Sequence, residues 1–179
     1  MGTVRVIGCG TPDAGDDAAG ILAVEHANEA LEAIPGVEVL PLASPLDVLH
    51  HLDGADAVVV VDAIRTPGTG RSSGTLVRAV AGPRGLPADL RRSLSSHGFG
   101  IVEAYGLASA IGPVPRVVVV GVEVERTGAG QPMSEAVRAA LPGLVGSVVR
   151  EARNLAAQAE GARTDGTRDP SGDDRREPP

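Results

Sequence analysis

Short runs of β-branched residues alternate along the chain with longer segments whose apolar residues recur every three or four positions. Val4, Val6 and Ile7 mark a first strand. Ile21, Val24, Ala27, Leu31 and Ile34 then follow at helical spacing, which predicts a helix over 16–34. A second strand is predicted over 37–42. Ser44 and Pro45 read as an N-cap with proline at the first helical position, opening a short helix that closes near Gly54. Four consecutive valines, Val58 to Val61, lie in a third strand over 56–63. Without alternation, such a strand is buried on both faces, as in a parallel sheet covered on both sides. A fourth strand over 75–80 is placed at a sheet edge.

Residues 81–96 carry Pro83, Gly85, Pro87 and three serines, and read as a loop. A loop of this length inside a compact domain is usually functional. A helix over 97–111 puts Ile101, Ala104, Ala108 and Ile111 on one face, and a Val-rich strand follows over 116–124. Ser134 caps a short helix, and Pro142 begins a second one carrying Leu144, Val148, Ala152 and Leu155. From Arg163 onward the chain consists of Arg, Asp, Glu, Gly, Ser, Thr and Pro. Such a stretch buries too little apolar surface to offset its ordering entropy. The expected organisation is one α/β domain over 1–160 and a disordered charged tail over 161–179. Strands alternating with helices predict a three-layer α/β/α sandwich around a mostly parallel five-stranded sheet. Ligands of such sheets bind beyond the carboxyl ends of the strands, at a switch point.

Composition narrows the function. The net charge of −7 argues against an electrostatic nucleic-acid partner. Phe99 and Tyr105 are the aromatic residues, too few for a base-stacking platform. All 16 basic residues are arginine, which excludes a Schiff-base or P-loop lysine. One cysteine, Cys9, permits neither an internal disulfide nor a multi-thiolate zinc site. The N-terminus lacks a signal-peptide h-region, and no run reaches the ~20 apolar residues of a membrane span. The expectation is a cytoplasmic protein without a membrane partner. A surface almost free of aromatics points to a monomer.

Candidate chemistry concentrates at strand ends. The loop after the first strand reads Gly8-Cys9-Gly10-Thr11-Pro12-Asp13-Ala14-Gly15-Asp16-Asp17. Asp13 occupies the third-glycine position of a dinucleotide fingerprint, and Gly15 is followed by Asp16 instead of a P-loop lysine. These carboxylates repel phosphate and attract a cation. Asp16 reads as the cap of the first helix, while Asp17 suits either the helix dipole or a site. Gly20, a poor helix former, implies close packing against the sheet or a ligand. Asp62 ends the valine strand at the edge where ligands bind; a turn-forming role competes with that reading. His97 stands at the mouth of a helix among Gly98 and Gly100, whose backbone freedom favours function. His50 and His51 read as surface residues, and His26 is given no role. Two carboxylates and an imidazole, Asp17, Asp62 and His97, would gather at a costly crevice whose repulsion a divalent cation offsets. Mixed oxygen and nitrogen donors suit zinc, nickel or manganese, and three protein ligands leave coordination positions open.

These segments, in this order, resemble the hydrogenase maturation proteases. The resemblance rests on Gly8-Cys9-Gly10, Asp16-Asp17, Gly20, Val61-Asp62-Ala63 and Ser96-His97-Gly98-Phe99-Gly100, and covers roughly 4–155. The chain departs from the family at Thr11, where an asparagine is usual, and at Asp17, one methylene shorter than the usual glutamate. The resemblance implies an endopeptidase that removes the C-terminal extension of a nickel–iron hydrogenase large-subunit precursor after nickel insertion. It implies that Asp17, Asp62 and His97 contact the metal, with nickel carried in by the substrate and another divalent metal as the alternative. It also implies that Asp17 and Asp62 are the catalytic candidates, with their individual roles open. The competing reading is a non-catalytic metal-sensing module or chaperone of the same fold. A serine mechanism through Ser95 or Ser96 is disfavoured, because neighbouring side chains on one segment seldom meet as nucleophile and base. Cys9 is disfavoured as a nucleophile, because acidic neighbours raise a thiol pKa.

Overall fold

A computed structural model describes residues 2–42, 45–65, 70–81, 101–125 and 127–165. Five strands, β1 (Val4–Cys9), β2 (Val37–Leu42), β3 (Ala57–Ile64), β4 (Leu76–Ala81) and β5 (Arg116–Glu123), form one sheet in the order β2-β1-β3-β5-β4. The β1–β2, β1–β3 and β3–β5 pairings are parallel, and the edge strand β4 runs antiparallel to β5. The sheet is therefore mostly parallel, and β4 lies at its edge as expected.

Helices α1 (Ala19–Glu32) and α3 (Glu135–Asp165) cover one face. Val4, Val6, Val59, Val61, Val118 and Val120 bury against Ala23, Val24, Leu31, Val137, Leu144 and Val148 of these helices. A 3-10 helix (Pro45–His51) and helix α2 (Ile101–Ile111) lie on the opposite side, where Val48 and Tyr105 join Ile7, Cys9, Val58, Val60, Val117 and Val119. Strand β3 is thus enclosed on both faces, and Val58 to Val61 have no exposed surface. Full burial of each such side chain is worth about 1.5–3 kcal/mol before entropy. Edge strand β4 is tied to α3 by a forked ion pair: Arg78 Nε and Nη2 donate to Glu151 Oε1 and Oε2 at 2.8 and 3.0 Å.

Several local expectations give way. The first helix begins at Ala19, preceded by a 3-10 turn (Asp16–Ala18). Ile111 is 80% exposed, because the packed stripe of α2 runs through Tyr105 and Ala108 and the helix ends at Ile111, past that stripe. Pro142 lies inside α3 instead of starting a new helix. Proline removes one helical hydrogen bond and crowds the preceding turn. The buried stripe Val137, Leu144, Val148, Ala152 and Leu155 continues across it, and tertiary packing holds the helix together. Helix α3 also runs through Gly161 to Asp165, so residues 161–165 are helical where composition alone placed a tail. Arg163 Nη2 bonds Asp56 Oδ2 at 2.8 Å and fastens that last turn beside the start of β3. The expected loop over 81–96 lies outside the described residues apart from Ala81, which ends β4.

Candidate active site

Strand order reverses between β1 and β3: β1 leads outward to β2, and β3 leads toward β5 and β4. The carboxyl ends of these two strands therefore flank the switch-point crevice. Glycine allows α1 to close its base. A Cβ on Gly20 would strike the carbonyl oxygens of Cys9 and Val61, so the first turn of α1 rests directly on the end of β1 and on the carboxyl half of β3. The close packing expected of Gly20 is against the sheet.

The loop leaving β1 doubles back on itself. Gly10 (φ 142°) and Gly15 (φ 66°) adopt positive φ, as does Asp13 at 59°, a residue type that tolerates this region. A side chain at Gly10 would collide with the Asp17 carbonyl. The return brings half-buried Asp17 beneath Thr11, whose backbone N–H donates to Asp17 Oδ2 at 2.9 Å. Asp17 thus sits in the short 3-10 turn ahead of α1, at the mouth of the crevice.

Asp62 belongs to β3, opposite Gly121 of β5. Its half-buried carboxylate accepts the backbone N–H of Ala63 at 2.8 Å, inside the strand, so it is not a turn former. Burial pushes its pKa up, the negative charge of Asp17 adds to that push, and the Ala63 hydrogen bond opposes it. The result is a carboxyl titrating at about 7, against 3.8 for the unperturbed group. Asp17 and Asp62, distant in sequence, are electrostatic neighbours. A carboxyl poised near neutrality beside a second carboxylate can take up and release a proton at physiological pH, or hold a cation that relieves the repulsion. Their hard oxygen donors fit a divalent ion.

Cys9, at the end of β1, is fully buried. Its thiol is held well above its ordinary pKa by burial first, then by the charges of Asp62, Asp47 and Asp17. It stays protonated, which agrees with its exclusion as a nucleophile. His97, the expected third metal contact, lies outside the described residues. Among the described residues no three His, Cys, Asp or Glu side chains are grouped to hold a metal.

Asp16 does not cap α1. The 3-10 turn and α1 have no side-chain cap hydrogen bond. Asp16 is 1% exposed, and its Oδ1 accepts the backbone N–H of Ser134, immediately before α3, at 2.6 Å. Ser134 Oγ in turn caps α3 through Val137 N at 3.4 Å. The carboxylate therefore complements the positive end of a helix 118 positions further along the chain. Capping rules point to the nearest helix, so no sequence signal identified this partner. The same edge of the sheet carries a cavity of about 490 Å³, lined by Arg65, Arg71, Ser73, Glu123 and Glu125 among others. Nothing in the sequence pattern singles out Arg65, Arg71 or Ser73.

A mostly parallel sheet covered by helices, with paired carboxylates at its switch point, defines an α/β protein with an acidic candidate site at the carboxyl edge of its sheet. The sequence model of the hydrogenase maturation protease family (HycI) matches residues 22–151, a span that contains Asp62 and His97 and begins just after Asp17. The chain belongs to this family and is a peptidase of hydrogenase maturation. Its fold is similar to that of the hydrogenase maturating endopeptidase HybD from E. coli, with TM-score 0.67 and 22% identity over 85% of this chain and 93% of that one. The [NiFe] hydrogenase maturation protease HycI from Thermococcus kodakarensis KOD1 gives TM-score 0.64 and 24% identity over 85% and 92% of the two chains. No match is found among curated protein sequences. Among the described residues no helix is long and apolar enough to cross a membrane.

Proposed function

We propose that this peptidase removes the C-terminal extension of a nickel–iron hydrogenase large-subunit precursor once nickel has been inserted. The observation that carries the reading is the pairing of Asp17 with Asp62 at the β1–β3 switch point, which leaves Asp62 titrating at about 7. Nickel belongs to the substrate, and Asp17, Asp62 and His97 are the residues that engage it. Another divalent ion of similar size is the alternative occupant. A cation there would polarise the scissile carbonyl or a water, as divalent ions do at hydrolytic sites. Asp62 contributes a carboxylate able to exchange a proton at neutral pH. The loop from Gly10 to Asp17 and the first turn of α1 fix the second carboxylate. The family membership, the acidic crevice and the adjoining cavity beyond Ile64 support a peptide substrate that lies across the carboxyl edge of the sheet. The protein acts on this precursor as a monomer in the cytoplasm, without nucleic acid or membrane.

The test is cleavage of a nickel-loaded large-subunit precursor by the purified protein, with Asp17→Ala, Asp62→Ala and His97→Ala beside the wild type. The expected result is nickel-dependent shortening of the precursor by its C-terminal extension, lost in all three variants. A precursor left intact by folded wild-type protein would reject the reading and favour a metal-sensing module that binds without cutting.

A further inference from the structure

We infer that Asp16 is a positioning residue for Asp17, acting through the segment that leads into α3. This inference rests on the reading of Asp17 as a contact to the metal-bearing substrate. Four successive residues of the β1–α1 loop are tied to that segment. Gly130 N–H donates to the Asp13 carbonyl at 2.8 Å, and Gly128 N–H to the Ala14 carbonyl at 3.3 Å. Gly15 forms an isolated bridge with Thr127. Ser134 N–H donates to Asp16 Oδ1 at 2.6 Å, the side-chain tie of the set. Asp17 itself is held by local hydrogen bonds: its side chain accepts from Thr11, and its N–H donates to the Ala14 carbonyl. The place of Asp17 against Asp62 is therefore set by where the loop is clamped.

Asp16 is an expensive clamp. Its side chain is buried, and its Oδ2 has no hydrogen-bond partner among the described residues. Asp17 lies next to it in the chain and adds a second negative charge. A buried carboxylate oxygen left without a donor is disfavoured, and such groups call for a functional explanation. The short side chain of Asp16 reaches the backbone N–H of Ser134, just ahead of α3, while its backbone begins the 3-10 turn that carries Asp17. The helix end holds the turn, and the turn presents Asp17 to the crevice.

The experiment compares Asp16→Ala, Asp16→Asn, Ser134→Ala and Asp17→Ala in the full chain, well below each melting temperature. Precursor processing gives kcat/KM, and amide hydrogen exchange at Thr11 reports whether its partner Asp17 stays in place. Asp16→Ala should lower kcat/KM about a hundredfold, the scale of a small misplacement of a catalytic group, and speed Thr11 exchange. Asp16→Asn keeps an acceptor for Ser134 N–H and should stay within about threefold of wild type. Ser134→Ala removes the hydroxyl cap of α3 but keeps the N–H that Asp16 accepts; it should lower thermal stability and cost less processing than Asp16→Ala. Loss of stability in Asp16→Ala with processing and Thr11 exchange intact would overturn the positioning role. So would an Asp16→Asn variant as impaired as Asp16→Ala, which would assign the effect to charge. If Asp16→Ala does not fold, Asp16→Ser, which stays polar in the buried position but stops one bond short of Ser134 N–H, takes its place and is judged by the same losses of processing and Thr11 protection. Asp17→Ala separates the two readings: full activity in that variant removes the role of Asp17 and this inference with it. An inactive Asp17→Ala beside a fully active Asp16→Ala removes this inference alone.

Discussion

Asp17 raises the pKa of Asp62: its negative charge adds to the effect of burial and holds the Asp62 carboxyl at about 7. The metal-free protein should therefore contain a carboxyl that titrates near neutrality, visible in the side-chain carbon resonances as pH is varied. Asp17→Asn removes the second charge and should move that midpoint downward, though not to 3.8, because burial is the larger cause. An Asp62 carboxyl fully ionised at pH 5 would contradict the pairing.

The same shift makes a stability prediction with a definite sign. Unfolded, Asp62 loses its proton near 3.8; folded, it keeps the proton up to about 7. Between those values the native state binds more protons than the unfolded state, so stability falls as pH rises through that window and levels off above it. Asp62→Asn has no proton to lose. Its melting temperature should approach or fall below that of wild type near pH 4 and exceed it at pH 8, by up to a few kcal/mol of unfolding free energy. Stability gained by removing a site carboxylate, with loss of processing, is the expected mark of a functional group held at a cost.

Glu151 behaves in the opposite way. The two hydrogen bonds from Arg78 hold its carboxyl below the ordinary value, and its burial only partly opposes them. The stability it contributes is present above 4.5 and is lost as pH falls through the lower folded value. Arg78→Met leaves a carboxylate of 10% side-chain exposure without its forked partner. That should cost about 1–3 kcal/mol in urea unfolding at pH 7, and less at pH 3, where Glu151 can protonate. An equal loss at both pH values would place the effect in packing of the arginine stem.

Much of the fold was legible in the chain because strands on a parallel sheet read as unbroken apolar runs. The second strand falls where predicted, over 37–42, and the valine strand is displaced by one residue, to Ala57–Ile64. The misreadings came from applying local rules to a tertiary outcome. Pro142 looks like a helix start until Val137 and Leu144 are seen to bury on the same face of the sheet. Ile111 fits the periodicity of its helix, but Tyr105 and Ala108 carry the packing. At the candidate site, Asp62 stands out in the sequence because it follows the valine run toward the carboxyl edge of the sheet, where α/β sheets place chemistry; the strand itself continues through Ile64. Asp17 was legible as one of an acidic pair. Asp16 was misassigned because a capping carboxylate is matched to the helix that follows it, and its partner comes 118 positions later. The place of His97 rests on its sequence setting among Gly98 and Gly100 and on the resemblance, since that residue lies outside the described part of the chain.

Two glycines of helical segments should respond oppositely to alanine. Alanine favours a helix interior by about 1 kcal/mol over glycine, so propensity alone predicts stabilisation at both positions. At Gly146, exposed on α3, an added Cβ meets no atom within 4 Å, and Gly146→Ala should raise stability by about 0.5–1 kcal/mol. At Gly20 the added Cβ would enter the carbonyl oxygens of Cys9 and Val61, backbone atoms of β1 and β3 that no rotamer change can move aside. Helix α1 would have to lift from the sheet, carrying the Asp16–Ala18 turn with it. Gly20→Ala should therefore lose about 1–3 kcal/mol of stability despite its better propensity. It should also lose precursor processing at temperatures where the variant remains folded, because the turn that moves is the one bearing Asp17. Thermal unfolding of the two variants beside wild type checks the first claim. Processing well below the melting temperature checks the second, and a stable, fully active Gly20→Ala would show that α1 does not rest on β1 and β3 as described.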